Sequence, residues 1–390
     1  MLRYSLLVAL LCLYNSSYAQ TEQSLLTIVI MVKDEESVIQ ETLLPYLQAG
    51  ITDYLVYDTG STDATIEKAQ QLFSNYKNIN YKIIQEPFID FAASRNKALD
   101  YADNLFNSVF YLMPDAEWYF ENAEKLIEFC HINKDETDSS YMISIKGEYI
   151  SFYIPRLLRV TSHSRFEGPI HEQLAPFCST KAPHECYFNW DPSSSGIEKT
   201  HKRFERDLSI LMNEYEKNPL NPHTLFFLGK TYECLKDYKN AYRFYGERSR
   251  ITTTNHEADF MATYRLALIA DCMDSEKEST WPVALYYYMR AYGLHPFRIE
   301  PLVRIAQHYF SEDNIPAAYM FIKQACSLPY PEDDLVLVEH ELYFITRYEL
   351  LALCAWCQDN EQEALQALEK ALVNNTLYDS VQDYLHALIY

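Results

Sequence analysis

The sequence predicts an α/β domain built on a doubly wound, Rossmann-like sheet, followed by an all-α domain of stacked helix pairs. Three observations predict it. Short apolar runs alternate with helix-period segments through the first third of the chain. From about Phe204 the strand signals mostly stop and small residues recur at fixed offsets. Only 8 of 390 residues are glycine, where a usual composition would carry roughly 7%. That scarcity disfavours an all-β chain with many tight turns.

The N-terminus reads MLRYSLLVALLCLYNSSYAQ. One Arg precedes an apolar stretch from Leu6 to Tyr14, and Ser17-Tyr18-Ala19 follows it. This is the pattern of a secretory signal peptide, residues 1–19, cut after Ala19. The stretch is short for a bilayer span, so an uncleaved membrane anchor is the lesser reading. The chain is therefore expected in the secretory pathway, lumenal or secreted, with no stable membrane span. Nine cysteines are present. Cys12 falls within the signal. Cys178 and Cys186 flank a short Pro-containing loop and are the candidate disulfide pair. Cys354 and Cys357 lie in a helical pattern and are expected as buried structural thiols. Asn374-Asn375-Thr376 is a glycosylation sequon.

Leu25–Val32 is a continuous apolar run suited to a buried parallel strand. Glu35–Ala49 has helical spacing, with Gly50 placed to end it. Tyr54–Tyr57 is a second strand. Asp63–Ser74 is a helix, with Ser61 or Thr62 available as its cap. Tyr81–Ile84 is a third strand, Phe91–Leu105 a helix and Val109–Met113 a fourth strand. In a doubly wound sheet, ligands bind at the carboxyl ends of the strands. The α/β domain is taken as residues 24–203 and the helical domain as 204–390. In the latter, Leu228-Gly229-x-x-Tyr232 leads to Ala241 and Tyr245. Ala267 leads to Ala284, Tyr288 and Ala291, Ala306-x-x-Tyr309 to Ala318, Ile322 and Ala325, and Ala352-x-x-Ala355 to Ala364, Leu368 and Ala371. Small residues at such offsets let two helices pack closely. The spacing resembles tetratricopeptide repeats, four imperfect helix pairs capped by a terminal helix over 379–390.

Lys and Arg total 33 against 55 Asp and Glu, a net charge of −22. The excess is spread evenly, −10 over residues 1–206 (18 basic, 28 acidic) and −12 over 207–390 (15 and 27). Nucleic acid is thereby disfavoured as a partner, because phosphate backbones need a basic face.

Five constellations carry chemistry. In Val56-Tyr57-Asp58-Thr59-Gly60-Ser61-Thr62-Asp63 a strand ends in Asp58 and turns through Gly60. A carboxylate there can accept from a base N–H or a ribose hydroxyl, or simply cap the turn. Asp115-Ala116-Glu117 follows a strand, and two carboxylates so spaced can share Mg²⁺ or Mn²⁺; the plainer reading is a solvated acidic turn. Asp90-Phe91-Ala92-Ala93-Ser94-Arg95-Asn96 opens a helix and presents an Arg able to meet phosphate. Phe166-Glu167-Gly168-Pro169-Ile170-His171-Glu172 is preceded by Arg156, Arg159 and Arg165. His201 stands where the two domains meet.

These motifs in this order, beginning with Val32-Lys33-Asp34-Glu35-Glu36, resemble family 2 glycosyltransferases of the GT-A fold. More narrowly, they are similar to the branch with C-terminal tetratricopeptide repeats, which includes peptide S-glycosyltransferases. The resemblance implies a nucleotide-sugar donor, a UDP-sugar first among them, a divalent cation (Mn²⁺ or Mg²⁺) and inversion at the anomeric carbon. By position, Asp58 would hold the nucleoside with Glu35 nearby. Arg95 would meet the base or diphosphate, Asp115 the ribose and metal, and Glu117 the metal. His201 would add a metal or phosphate contact. Glu172 is the candidate general base, with His171 its alternative or its orienting partner. Two departures stand out. Where the family reads Leu-Asp-Ala-Asp-Glu, this chain reads Met113-Pro114-Asp115-Ala116-Glu117-Trp118, and Asp34 stands where Asn is common. The expected function is a metal-dependent glycosyltransferase acting on a protein, peptide or glycan acceptor held by the repeats. The alternatives are a catalytically degenerate scaffold whose repeats bind a peptide or protein partner, and, more weakly, a carboxylate-pair hydrolase.

Overall fold

A computed structural model describes residues 23–147, 150–190, 194–273 and 280–374, without the side chains of 194–202 and 374. The signal segment, the expected capping helix and most of the sequon lie outside these residues. Backbone contacts divide the chain into two compact units, one running to Ser144 and resuming over Pro155–Asn189, the other comprising Ile145–Ile154 and the chain from Trp190 onward.

The first unit alternates as its apolar runs dictate. Strand β1 (Ser24–Val32) leads to helix α1 (Ile39–Gln48), β2 (Asp53–Asp58), α2 (Thr65–Ser74), β3 (Asn80–Gln85), α3 (Phe91–Leu105) and β4 (Ser108–Leu112). After these come β5 (Trp118–Glu121), α4 (Ala123–Ile132), β6 (Ser140–Lys146), β7 (Ile150–Arg159), β8 (Arg165–Glu167), β9 (Gln173–Ala175) and β10 (Tyr187–Trp190). The sheet order is β3-β2-β1-β4-β7-β6-β10-β5. The first four strands are mutually parallel, and β7 joins β4 antiparallel with Leu112 opposite Leu157. The expected parallel winding therefore covers four strands and the sheet as a whole is mixed. The strand order switches at β1, with β2 and β3 on one side and β4 on the other, and the carboxyl ends of β1, β2 and β4 form one edge. Ile28, Val29, Ile30, Leu55 and Val56 are fully buried in the centre of this sheet. Complete burial on both faces explains their unbroken apolar run.

The second unit holds α5 (Ser194–Lys217), α6 (Pro222–Cys234), α7 (Tyr238–Ser249), α8 (His256–Cys272), α9 (Trp281–Leu294), α10 (Glu300–Ser311), α11 (Ile315–Ser327), α12 (Arg347–Trp356) and α13 (Glu361–Asn374). The helices pack as successive pairs α6–α7, α8–α9, α10–α11 and α12–α13, the four pairs expected. The small residues that predicted them, Ala241, Ala267, Ala284, Ala306, Ala318 and Ala355, are wholly buried. Gly229 shows why the position must be small: a Cβ there would stand 2.6 Å from Cδ1 of Tyr245. No described helix is long and apolar enough to cross a membrane.

Three local expectations are corrected. Cys178 and Cys186 are free thiols. The Cys178 sulfur faces Asp138 and the Thr180 hydroxyl, whereas Cys186 is buried with its sulfur toward the Asn122 carbonyl, so the loop does not bring the two together. Cys354 is buried as expected, its thiol pushed up to about 12 by desolvation, but Cys357 sits past the end of α12 and is exposed. Neither Ser61 nor Thr62 caps α2, because Ser61 is recruited by Asp58 and Asp34.

Candidate active site

The edge formed by the carboxyl ends of β1, β2 and β4 carries two adjoining constellations. The first is a cleft of about 580 Å³ whose walls include Lys33, Asp58, Gly60, Gln85, Glu86 and Phe88. Asp58 ends β2 with no exposed surface. One carboxylate oxygen accepts from the Ser61 amide (3.0 Å) and hydroxyl (2.6 Å). The other accepts from Nε2 of Gln85 at 3.0 Å. The turn is tied back to β1 by the Thr59 amide, which donates to the Val32 carbonyl at 2.9 Å. Gly60 has φ +104°, a left-handed conformation that a side chain would disfavour. Asp34 also takes a left-handed φ of 54°, which Asn and Asp tolerate better than other residues. Its carboxylate accepts from the Thr62 amide at 2.7 Å.

Glu86 is a second heavily bonded acid in the cleft. Its carboxylate accepts from Lys97 (2.6 Å), Tyr101 (2.7 Å) and Tyr57 (3.0 Å), and these donors hold its pKa down to about 2. Burial, with the Glu86 bond second, pushes the Tyr57 phenol upward. The cleft thus presents an aromatic face, an oriented amide, an acid held in its charged form and the Lys33 ammonium, features able to hold a base and a phosphate chain.

The second constellation joins residues far apart in sequence. Asp90, at φ −149°, caps α3 by accepting from the Ala93 amide, and one turn later α3 buries Arg95. Nε of Arg95 donates to Glu172 Oε1 at 2.5 Å, and its Nη2 donates to Asp115. Burial alone would lower the Arg95 pKa, but Asp115 and Glu172 raise it further. Arg156 lies alongside, in register with the end of β4, where the Met113 amide donates to the Arg156 carbonyl at 3.0 Å. Its Nη2 is 3.5 Å from Asp115 and 3.6 Å from Glu172. Its guanidinium lies over the rings of Trp118 (5.5 Å) and Phe166 (5.4 Å). Burial, then the neighbouring Arg95, lowers its pKa.

The structure thus brings Arg95, Asp115 and Glu172 into direct contact and puts Asp58 in the wall of the cleft. At Glu35 the backbone amide donates to the Thr65 hydroxyl at 2.8 Å, and it is Lys33 that lines the cleft. Glu117 and His171 both take left-handed backbone angles, φ 66° and 50°, at the two turns that flank the cluster. His201 lies in α5 with its side chain outside the described residues. Sequence reasoning missed Lys33, Gln85, Arg156 and Trp118 as site residues. Arg156 was visible only as one of three arginines before the Phe-Glu-Gly motif, and Trp118 only as a departure from a pattern.

Asp115 and Glu117 have the hard oxygen donors that a divalent cation takes. Asp115, however, directs both carboxylate oxygens at guanidinium groups, so a cation there would share it with Arg95 and Arg156. Among the described residues, no group of three or more His, Cys, Asp or Glu is arranged to hold a metal ion.

Residues 27–190 match the family model described as glycosyl transferase family 2. No curated protein matches the chain. Among solved structures, MamA (residues 41 to the end) from Desulfovibrio magneticus RS-1 is 15% identical, covering 48% of this chain and 99% of its own, with a TM-score of 0.35. YrrB, described as a TPR protein with an unusual peptide-binding site, is 16% identical, covering 50% and 89%, with a TM-score of 0.35. TTC0263, a thermophilic TPR protein of Thermus thermophilus, is 18% identical, covering 51% and 98%, with a TM-score of 0.34.

Proposed function

With a family 2 glycosyltransferase domain at residues 27–190, we propose that the protein moves a sugar from a nucleotide-diphosphate donor to a protein, peptide or glycan acceptor. A UDP-sugar is the first donor to test. The observation that carries this reading is the cluster of Arg95, Asp115 and Glu172 on the sheet edge that also holds the Asp58 cleft. In the proposed reaction the acceptor's nucleophilic atom attacks the anomeric carbon, with inversion. Its proton passes to Glu172, and the bond from the anomeric carbon to the diphosphate oxygen breaks, its electron pair leaving on the nucleoside diphosphate. Arg95 fixes the rotamer of Glu172 through its Nε bond. His171, the preceding residue, is the alternative base or orients Glu172. Asp58 and Glu35 serve the nucleoside end, and Asp115 the ribose. A divalent cation, Mn²⁺ or Mg²⁺, would be held by Asp115 and Glu117, with His201 as a further ligand. It would neutralise charge on the departing diphosphate. The repeats hold the acceptor; Val283, Tyr286 and Met289 give α9 an exposed apolar stripe suited to a polypeptide.

Two observations favour the degenerate, peptide-binding reading: both Asp115 oxygens are already bonded to arginines, and Trp118 occupies an expected acid's position. Nucleoside-diphosphate release from a panel of nucleotide sugars, with Mn²⁺ added, separates the two. The transferase reading expects release that Asp115→Ala abolishes. Absence of release, together with no rise in Tm on adding nucleotide, would sink it and leave the scaffold.

A further inference from the structure

Arg156 has more hydrogen-bonding capacity than its surroundings use. A guanidinium carries five N–H donors. Its Nε is buried with no hydrogen-bond partner among the described residues, and its Nη2 makes long carboxylate contacts, 3.5 Å to Asp115 and 3.6 Å to Glu172. The neighbouring Arg95 likewise has Nη1 buried and unpartnered. Leaving buried donors unmet is costly. Yet the chain builds a specific seat for the second guanidinium, between the faces of Trp118 and Phe166. Such a seat holds the group in place without consuming its N–H donors. Trp118 is also one of the residues that depart from the family pattern, and here it supports the Arg156 guanidinium.

Position adds a second argument. Strand order places β2, β1, β4 and β7 side by side. The end of β2 at Asp58 and Arg156 on β7 are thus three strand spacings apart, about 14 Å, on one sheet edge. A nucleoside anchored beside Asp58 and extended along that edge directs its phosphates toward Arg95 and Arg156. Asp115 is 31% exposed, so an incoming phosphate can replace it at Arg156 without stranding a buried charge.

We propose that Arg156, seated between Trp118 and Phe166 and paired with Arg95, binds the donor's diphosphate and stabilises the charge that develops on it as the sugar leaves. This rests on the transferase reading and adds a residue to it. Two fixed guanidinium groups supply part of the neutralisation that a cation otherwise provides, so diphosphate recognition persists when divalent cations are removed.

The test is titration calorimetry of inorganic pyrophosphate into the full chain in EDTA. The wild type is expected to bind. Arg156→Gln should weaken binding at least tenfold, and Arg156→Lys, which keeps the charge but loses the fork, should recover part of it. Should the Gln variant fail to melt cooperatively, the wild-type titration and the Lys variant decide. No pyrophosphate binding by the wild type in EDTA, or equal affinity in the variants, overturns the proposal. If Mn²⁺-supported transfer is nevertheless observed, only the role of Arg156 falls. If neither transfer nor nucleotide binding occurs with Mn²⁺, the transferase reading falls with it.

Discussion

Arg95 was legible in the sequence as the arginine of an Asp-Phe-Ala-x-x-Arg-Asn helix start, but its partners were not. Asp115 lies 20 residues away and Glu172 lies 77 away, and no local pattern reports contacts at that distance. The same limit hid Arg156, whose importance comes from two rings and two carboxylates contributed by four other segments. Glu172→Gln keeps the shape of the group and removes its ability to take a proton. It should lower turnover by about 10²–10⁴-fold while leaving the calorimetric affinity for UDP within about threefold, the marker of a group used in the chemical step. Glu86 tests the cleft's electrostatics. Its folded pKa is depressed to about 2 by Lys97, Tyr101 and Tyr57. The stability it contributes is therefore present above the unfolded carboxylate range and lost as pH falls toward 2. Tyr101→Phe should raise the Glu86 pKa in an NMR titration; an unchanged value would contradict the bonding described. His340 behaves oppositely to a paired histidine. Burial, with Lys146 nearby, lowers its pKa, and its Nε2 sits 2.7 Å from the Ser151 hydroxyl and 2.8 Å from that of Tyr330. The fold favours its neutral form, so its share of stability is present above pH ~6.5 and declines as pH falls below that value. The Tm of the wild type should drop more between pH 7 and 5 than that of His340→Asn.

At the scale of elements, the sequence predicted what periodicity can carry. Each of the first four strands and the three helices between them lies within a few residues of its expected position, because buried parallel strands leave continuous apolar runs and the helices show 3.6-residue spacing. The later strands β5–β10 left no such trace. Several are three or four residues long, and β7 mixes Arg156, Arg159 and Pro155 with apolar side chains because it borders the site. In the helical unit, alanine spacing located all four pairs, since close helix approach is a demand on side-chain size that composition records directly. Gly229 states that demand most strongly. Alanine is intrinsically the better helix former by about 1 kcal/mol, but a Cβ would collide with the Tyr245 ring, whose hydroxyl is held by Glu233 at 2.8 Å. Overpacking of this kind costs about 1–3 kcal/mol. Gly229→Ala should therefore lower the Tm, whereas a neutral or stabilising result would show that the ring moves freely.

For the whole molecule, the net charge of −22 sets a problem that a nucleotide-sugar site, as proposed, has to solve. An acidic protein repels an anionic donor at long range, and Lys33, Arg95 and Arg156 place fixed positive charge where phosphates would sit. The even spread of acid over both halves was legible from composition alone; the concentration of these cations at one sheet edge required the fold. The central claim is that this edge is a working nucleotide-sugar site. Its most direct measurement is nucleoside-diphosphate release from a panel of nucleotide sugars by the full chain, with the wild type and Asp115→Ala side by side. The account predicts release from at least one nucleotide sugar by the wild type and none above background by the variant. Release from no donor, with no nucleotide raising the Tm, or equal release by both proteins, would contradict it.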